Sequence, residues 1–372
     1  MKGLKFVFAI VVALSSSQFA PVMANDGDDA ARASGTGATA GTADGSDVLS
    51  TSSGIAARAA AAQGMDMGGT DKGGMSVIPP GVMVGEAGKW MVGYRYIYDR
   101  MDGNLVGSRS ISEADVLHQF EMSPTDMTMQ MHMGSVMYAP TNRLTVMAMV
   151  PYMVKAMDHV DHEGERFTEK TNGFGDVELT GLYSLTDPMN ARSRILLSFG
   201  ASAPTGSINQ RHMGMRMEYP MQLGSGTFAL RPGVVYLGQA SPFGWGARFV
   251  STFQLGRNDN NYRLGNRYEA SAWVTRLISS TLSATAGING ESRGNIRGLD
   301  PLLDALEEPT KDPRRQGGDR LDATLGLAFH PQRGMLGGNS FFLSADLPVL
   351  QSLDGPQLKK RFGVRFELQR EF

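Results

Sequence analysis

The chain has 372 residues, 41% of them hydrophobic, with no cysteine and a formal charge of −2. That is enough chain for a sizeable core, but it excludes disulfides and thiolate metal sites and gives no basic excess for nucleic acid. A mean hydropathy of −0.19 leaves a membrane protein open, because a β-barrel shows lipid only every second side chain.

Lys2 and Lys5 precede an apolar run from Phe6 to Leu14, followed by small residues and Val22-Met23-Ala24. That order predicts a secretory signal over 1–24, cut after Ala24. The run is too short to span a bilayer, and no later stretch approaches the roughly 20 apolar residues of a transmembrane helix. Losing two lysines leaves 33 basic against 37 acidic residues, a formal charge of −4. Residues 25–85 are rich in Ala, Gly, Ser, Thr and Asp. Such a segment cannot bury enough surface to offset its ordering entropy, and a disordered periplasmic leader is expected.

Over 86–372 the hydropathy alternates with period two, in segments at 88–99, 127–138, 143–157, 174–186, 193–203, 227–238, 245–257, 266–277, 281–291, 319–330, 340–350 and 359–372. In 266–276, for example, Tyr268, Ala270, Ala272 and Val274 oppose Arg267, Glu269, Ser271 and Thr275. Long connections (100–126, 158–173, 204–226, 292–318) and short ones (139–142, 187–192, 239–244, 278–280) fall mostly on opposite sides. This pattern predicts an all-β fold: a transmembrane antiparallel up-and-down β-barrel of about 12 strands with a disordered N-terminal leader, both termini periplasmic. Charges pointing inward on nearly every strand suit a wet lumen, where a dry sandwich core would leave them unpaired.

The even positions of the last strand read Phe362, Val364, Phe366, Leu368, then Arg370 and the terminal Phe372. This strand is expected to close the sheet and to be read by the barrel-assembly machinery. Outer-membrane lipid and a small-molecule solute are the other partners implied, and nucleic acid is not. The expected lumen-lining residues are Arg95, Asp176, Glu178, Arg194, Arg231, Arg248, Arg267, Glu269, Glu291, Asp322, Asp346, Arg361 and Arg365. Their mixed sign argues against strong ion selectivity.

Gly173-Phe-Gly-Asp-Val-Glu-Leu179, preceded by Met147-Ala-Met-Val-Pro-Tyr-Met153 and Met157-Asp-His159, resembles the outer-membrane transporters named for the MetA pathway of phenol degradation. The resemblance covers about 85–372 and implies a β-barrel with a role in solute passage. From the residues themselves, Gly173 and Gly175 suit a tight turn into a strand. Asp176 and Glu178 would then point inward, solvating the lumen or binding a facing arginine such as Arg194.

The chain carries 24 methionines, heavily grouped. In 143–157 the even face is continuously apolar, so the odd face, with Met147, Met149, Met153 and Met157, is expected to face the lumen. If the turn 139–142 pairs Tyr138 with Arg143, His132 faces Met149 and joins that inner cluster. Met127, Met129, Met131, Met133 and Met137 then face lipid. Thioethers with imidazole suit Cu(I) or Ag(I), and the set His132, Met147, Met149, Met153, Met157 and His159 is the candidate metal site. His162, His212, Met213, Met215, Met217 and Met221 add soft donors in loops, and Met65, Met67 and Met75 in the leader.

A passive conduit for small solutes is the leading expectation, without enzymatic activity and with no cofactor beyond such a metal. A copper- or silver-handling barrel is the alternative in the same architecture. A barrel lipid hydrolase stands lowest, since no serine sits in a nucleophile-elbow motif. An adhesive barrel acting through its loops is the remaining class.

Overall fold

The computed structural model describes residues 85–186 and 192–372. The expected signal at 1–24 and leader at 25–85 fall, apart from Gly85, outside the described residues, as do Met65, Met67 and Met75.

In chain order the strands are β1 (Trp90–Gly107), β2 (Arg109–Ile111), β3 (Met122–Thr141), β4 (Leu144–Asp161), β5 (Arg166–Phe174), β6 (Val177–Ser184), β7 (Ser193–Ala203), β8 (Arg211–His212), β9 (Met215–Arg216), β10 (Ala229–Ala240), β11 (Phe243–Gln254), β12 (Tyr262–Arg263), β13 (Arg267–Leu277), β14 (Leu282–Arg293), β15 (Arg297–Gly298), β16 (Gly318–Phe329) and β17 (Asn339–Glu371). Eleven of them close a ring, each antiparallel to its neighbours, and β17 returns to pair with β1. The fold is a closed antiparallel transmembrane β-barrel.

An antiparallel ring needs an even number of passes, and β17 supplies the extra one. Its first arm, from Phe341, pairs with β16, and its second arm, to Glu371, pairs with β1. Gln351 exchanges two hydrogen bonds with the Lys360 backbone, and Asp346 lies 3.5 Å from Arg365. These contacts can form only if the 33-residue strand folds back on itself. Its two arms make twelve passes in all, the number expected from the alternation.

The outward face is apolar, as alternation requires. Val92, Val136, Val150, Leu179, Ile195, Val274, Leu327 and Leu343 are among its exposed side chains. Aromatic pairs gather toward both rims: Trp90 with Tyr138 and Phe329 with Phe341 at one, Tyr98 with Phe362, Tyr152 with Phe174 and Phe253 with Tyr268 toward the other. Such girdles mark the two interfaces of an outer-membrane barrel. Short connections such as Asn142–Arg143 and Ser241–Pro242 occupy the rim shared by Trp90 and Phe372, whose backbones bond each other. The long loops occupy the opposite rim.

Two expectations are corrected. The connection 158–173 is largely strand, because β4 continues to Asp161 and β5 returns along it. β5 and β6 form one line along the edge of β4, interrupted at Gly175-Asp176, where the Gly175 N–H bonds the Pro151 carbonyl. The register of β3 against β4 also differs. Tyr138 opposes Val146, and His132 opposes Tyr152, with a register shift between Tyr138 and Thr141. An odd displacement reverses which face looks inward. His132 therefore points outward, bonded to the Tyr94 hydroxyl at 2.8 Å. Met127, Met129, Met131, Met133 and Met137, expected in lipid, line the lumen.

Candidate functional site

The lumen has two unlike walls. On β1, β3 and β4, eleven methionines point inward: Met91, Met101, Met127, Met129, Met131, Met133, Met137, Met147, Met149, Met153 and Met157. Several stand directly opposite one another, as Met127 with Met157, Met131 with Met153, and Met137 with Met147. Directly opposed side chains share a face and touch. Met91, Met137, Met147 and Met149 form one cluster; Met127 and Met157 form another with Met217 and Met221 of the loop 204–228.

Charged side chains line the rest of the circumference and reach onto β1 through Arg95 and Asp99. Arg231 of β10 pairs with Glu178 of β6 and lies 3.7 Å from Glu269 of β13. The strand between β6 and β10 puts Gly200 at this level, and a Cβ there would press on both Arg231 and Thr180. The missing side chain is what lets Arg231 cross to Glu178. Glu269 also pairs with Arg267 at 2.9 Å. Arg320 bridges Glu291 and Asp322, and Asp322 shares Lys360 with Asp99. Asp346 takes Arg365 and the Thr324 hydroxyl, while Arg95 pairs with Glu367 at 2.8 Å. Arg248 and Arg293 make no ion pair among the described residues, and both are exposed within the lumen. Arg248 lies in electrostatic reach of Arg95, Arg231, Arg365 and Glu269.

Most of the expected lumen residues therefore face inward. Arg361 does not: a register shift beside Met101 turns it outward, 3.6 Å from Asp102, and turns Lys360 inward in its place. Arg194 is buried on the inner face of β7, at the opposite end from Ser202, which faces Glu178. It is not the partner of that acid.

A cap of loops folds into the far mouth. Asp176 anchors it, accepting from Gly206 N at 2.9 Å, Ser225 N at 2.8 Å and Ser225 Oγ at 2.6 Å. The loop can come this close because Gly206 and Gly224 touch backbone to backbone, leaving no room for a Cβ on either. Lys155, inward on β4, donates to the Pro220 and Gln222 carbonyls at 2.7 Å each. Tyr219, Tyr262, Ile296 and Leu303 make an apolar core between the loops 204–228, 255–266 and 294–317. Arg216 pairs with Asp300 across it.

The expected metal set does not assemble as one site. His132 is outside the barrel, and Met147 and Met149 belong to the cluster near the terminal rim. Met157 belongs to the one beneath the cap, and Met153 stands between. His159 sits deeper in the cap, with Glu308 at 3.1 Å and Glu218 at 3.9 Å. Those two acids carry no sequence signal, because they lie in loops without periodicity. Burial first, then the charges of Glu308 and Glu169, push the Glu218 carboxyl well above its ordinary range. Of the remaining loop donors, Met213 and Met215 are exposed on the β8–β9 hairpin with His212, and His162 is exposed.

Fold and lumen together define an outer-membrane β-barrel. Comparison with solved structures agrees: an outer membrane channel from Pseudomonas putida superposes with a TM-score of 0.56 at 14% identity, covering 79% of this chain and 99% of that one. A Pseudomonas aeruginosa FadL homologue (TM-score 0.36, 11% identity, 76% and 89% covered) and the translocator domain of the Neisseria meningitidis autotransporter NalP (0.40, 10%, 88% and 98%) superpose more loosely. No family model and no curated protein sequence matches the chain, so the likeness is one of fold.

Proposed function

We propose that the chain is a passive conduit in the bacterial outer membrane for small solutes that carry both an apolar body and a charge. The observation behind this reading is the divided lumen. Thioethers are polarisable and adaptable, and make favourable contacts with aromatic rings. The facing wall offers paired charges plus Arg248, whose guanidinium is free to meet a passing carboxylate. On this reading the loop cap is extracellular, the terminal rim is periplasmic, and the chain is exported by a signal over 1–24. Asp176 of the Gly173–Leu179 motif, on which the resemblance to the MetA-pathway transporters rests, anchors the cap. Nothing in this reading requires catalysis.

The test is recording from the refolded protein in planar bilayers, together with uptake into proteoliposomes. Discrete conductance steps are expected, with faster uptake of a small aromatic carboxylate than of a sugar of similar mass. A stably inserted but electrically silent barrel would sink the proposal.

The directly opposed methionine pairs favour a second reading, passage of Cu(I) or Ag(I) along the thioether wall. Silver titration should then perturb the wild type far more than a variant in which Met127, Met131, Met137, Met147, Met153 and Met157 are all leucine. Equal response of the two would remove it.

A further inference from the structure

We propose that His159, Glu218 and Glu308, with Glu169 beside them, bind one divalent cation of the zinc or manganese class, and that this cation staples the loop cap to the barrel wall. The four residues come from four segments. His159 lies on the inner face of β4 near its loop end, and Glu169 is on β5, where it opposes Met157. Glu218 directly precedes the 3-10 turn Tyr219–Met221, and Glu308 directly precedes the turn Pro309–Lys311. One ligand atom from each of His159, Glu218 and Glu308 falls within 4.8 Å of the others.

Three observations point to a cation. His159, Glu218 and Glu308 are each only 1% exposed. Neither ring nitrogen of His159, neither oxygen of Glu218, and neither Glu308 Oε1 nor Glu169 Oε2 makes a hydrogen bond. Two buried carboxyl groups, with Glu169 beside them, crowd a single imidazole, and apart from the 3.1 Å approach of Glu308 to His159 their inward oxygens have no polar partner, a need that a bound cation would meet. Two lysines lie in electrostatic reach: Lys311, beside His159, is held by Glu307 at 2.5 Å, and Lys155, on the Glu218 side, gives its protons to the Pro220 and Gln222 carbonyls.

The donors decide the class of ion. One imidazole nitrogen with two or three carboxylates suits zinc or manganese; thioether-seeking Cu(I) would prefer the methionine wall, and magnesium or calcium would prefer oxygen alone. Ligands about 2.0–2.1 Å from a tetrahedral ion stand roughly 3.4 Å apart. The Nε2 separations of 3.1 and 3.9 Å bracket that distance. The Phe167 ring, stacked on His159 at 5.0 Å and 14°, fixes the imidazole plane.

The experiment uses the full chain, purified in detergent, stripped with chelator and titrated calorimetrically with Zn2+ and, separately, Mn2+. One equivalent should bind, and Glu218→Gln with Glu308→Gln should weaken it on the order of 100-fold, while His132→Ala and His212→Ala bind as wild type. Heat-modifiable migration reports whether each variant still folds. Should the double variant fail to fold, Co2+ substitution decides. A d–d band at one equivalent, retained in His132→Ala and lost in His159→Ala, supports the site. No stoichiometric binding by wild type, or unchanged binding in a folded double variant, overturns it. Binding is measured without conductance, so its failure leaves the conduit reading untouched, and a silent barrel would leave the metal site standing.

Discussion

The anchoring of the cap by Asp176 can be tested through its replacement by alanine. The carboxylate accepts three hydrogen bonds, two from backbone N–H groups and one from the Ser225 hydroxyl. Bonds to a charged group contribute about 1.5–3 kcal/mol each, and shared anchorage keeps them from adding fully. A loss of about 3–5 kcal/mol is therefore expected, borne locally by the loop 204–228. Barrel hydrogen bonding lies elsewhere and should be spared. At 1.4 kcal/mol per factor of ten, the detached loop becomes more populated by a factor on the order of 10² to several times 10³. Arg211 is exposed at its tip, which makes tryptic cleavage there the natural readout. Cleavage of Asp176→Ala should accelerate by a similar factor, while heat-modifiable migration shows an intact barrel. Single-channel conductance should rise as the cap leaves the mouth. Equal cleavage rates in variant and wild type would refute the anchoring role, whatever the conductance.

Gly246→Ala places a Cβ against the Trp273 ring inside the lumen and should cost about 1–3 kcal/mol, read as a lower temperature for loss of the heat-modifiable band; an unchanged temperature would show that the indole moves aside freely. Arg248→Glu should shift the reversal potential of the open channel toward cation preference, and an unmoved potential would mean the ion path avoids β11. Deleting Phe372, whose backbone closes onto Trp90 at 2.8 Å, should lower assembly in cells while leaving refolding in detergent intact. Equal yields in cells would remove the terminal aromatic from recognition. Lys155→Met strips the donor from the Pro220 and Gln222 carbonyls and should speed cleavage at Arg211 about as strongly as the Asp176 change; resistance equal to wild type would assign the cap to its apolar core alone.

The barrel was legible because its cause is local. Alternation over β10, β11, β13, β14 and β16 reports directly which side chain meets hydrocarbon. β3 was misread because methionine is apolar by composition yet here stands inward, while Thr128, Gln130 and His132 stand outward. Gln130 and His132 are satisfied by the Tyr96 and Tyr94 hydroxyls. The register shift past Tyr138 is a backbone property that no hydropathy pattern records. A similar shift exchanged Arg361 for Lys360. Asp176 was expected to point inward toward water or a facing arginine; its partners instead lie in the loop 204–228, and such contacts depend on closure of the whole ring. The grouping of His159, Glu218 and Glu308 is still less local, since residues 159, 218 and 308 meet only when two loops enter the same mouth.

A bore whose two sides differ in chemistry does something a uniformly lined tube cannot. In the proposed conduit it would set the roll of a passing solute about the axis of travel, one flank against sulfur and the other against guanidinium and carboxylate. Isomers with the same atoms, differing only in whether their polar group sits at the edge or the tip, would then move through at different speeds.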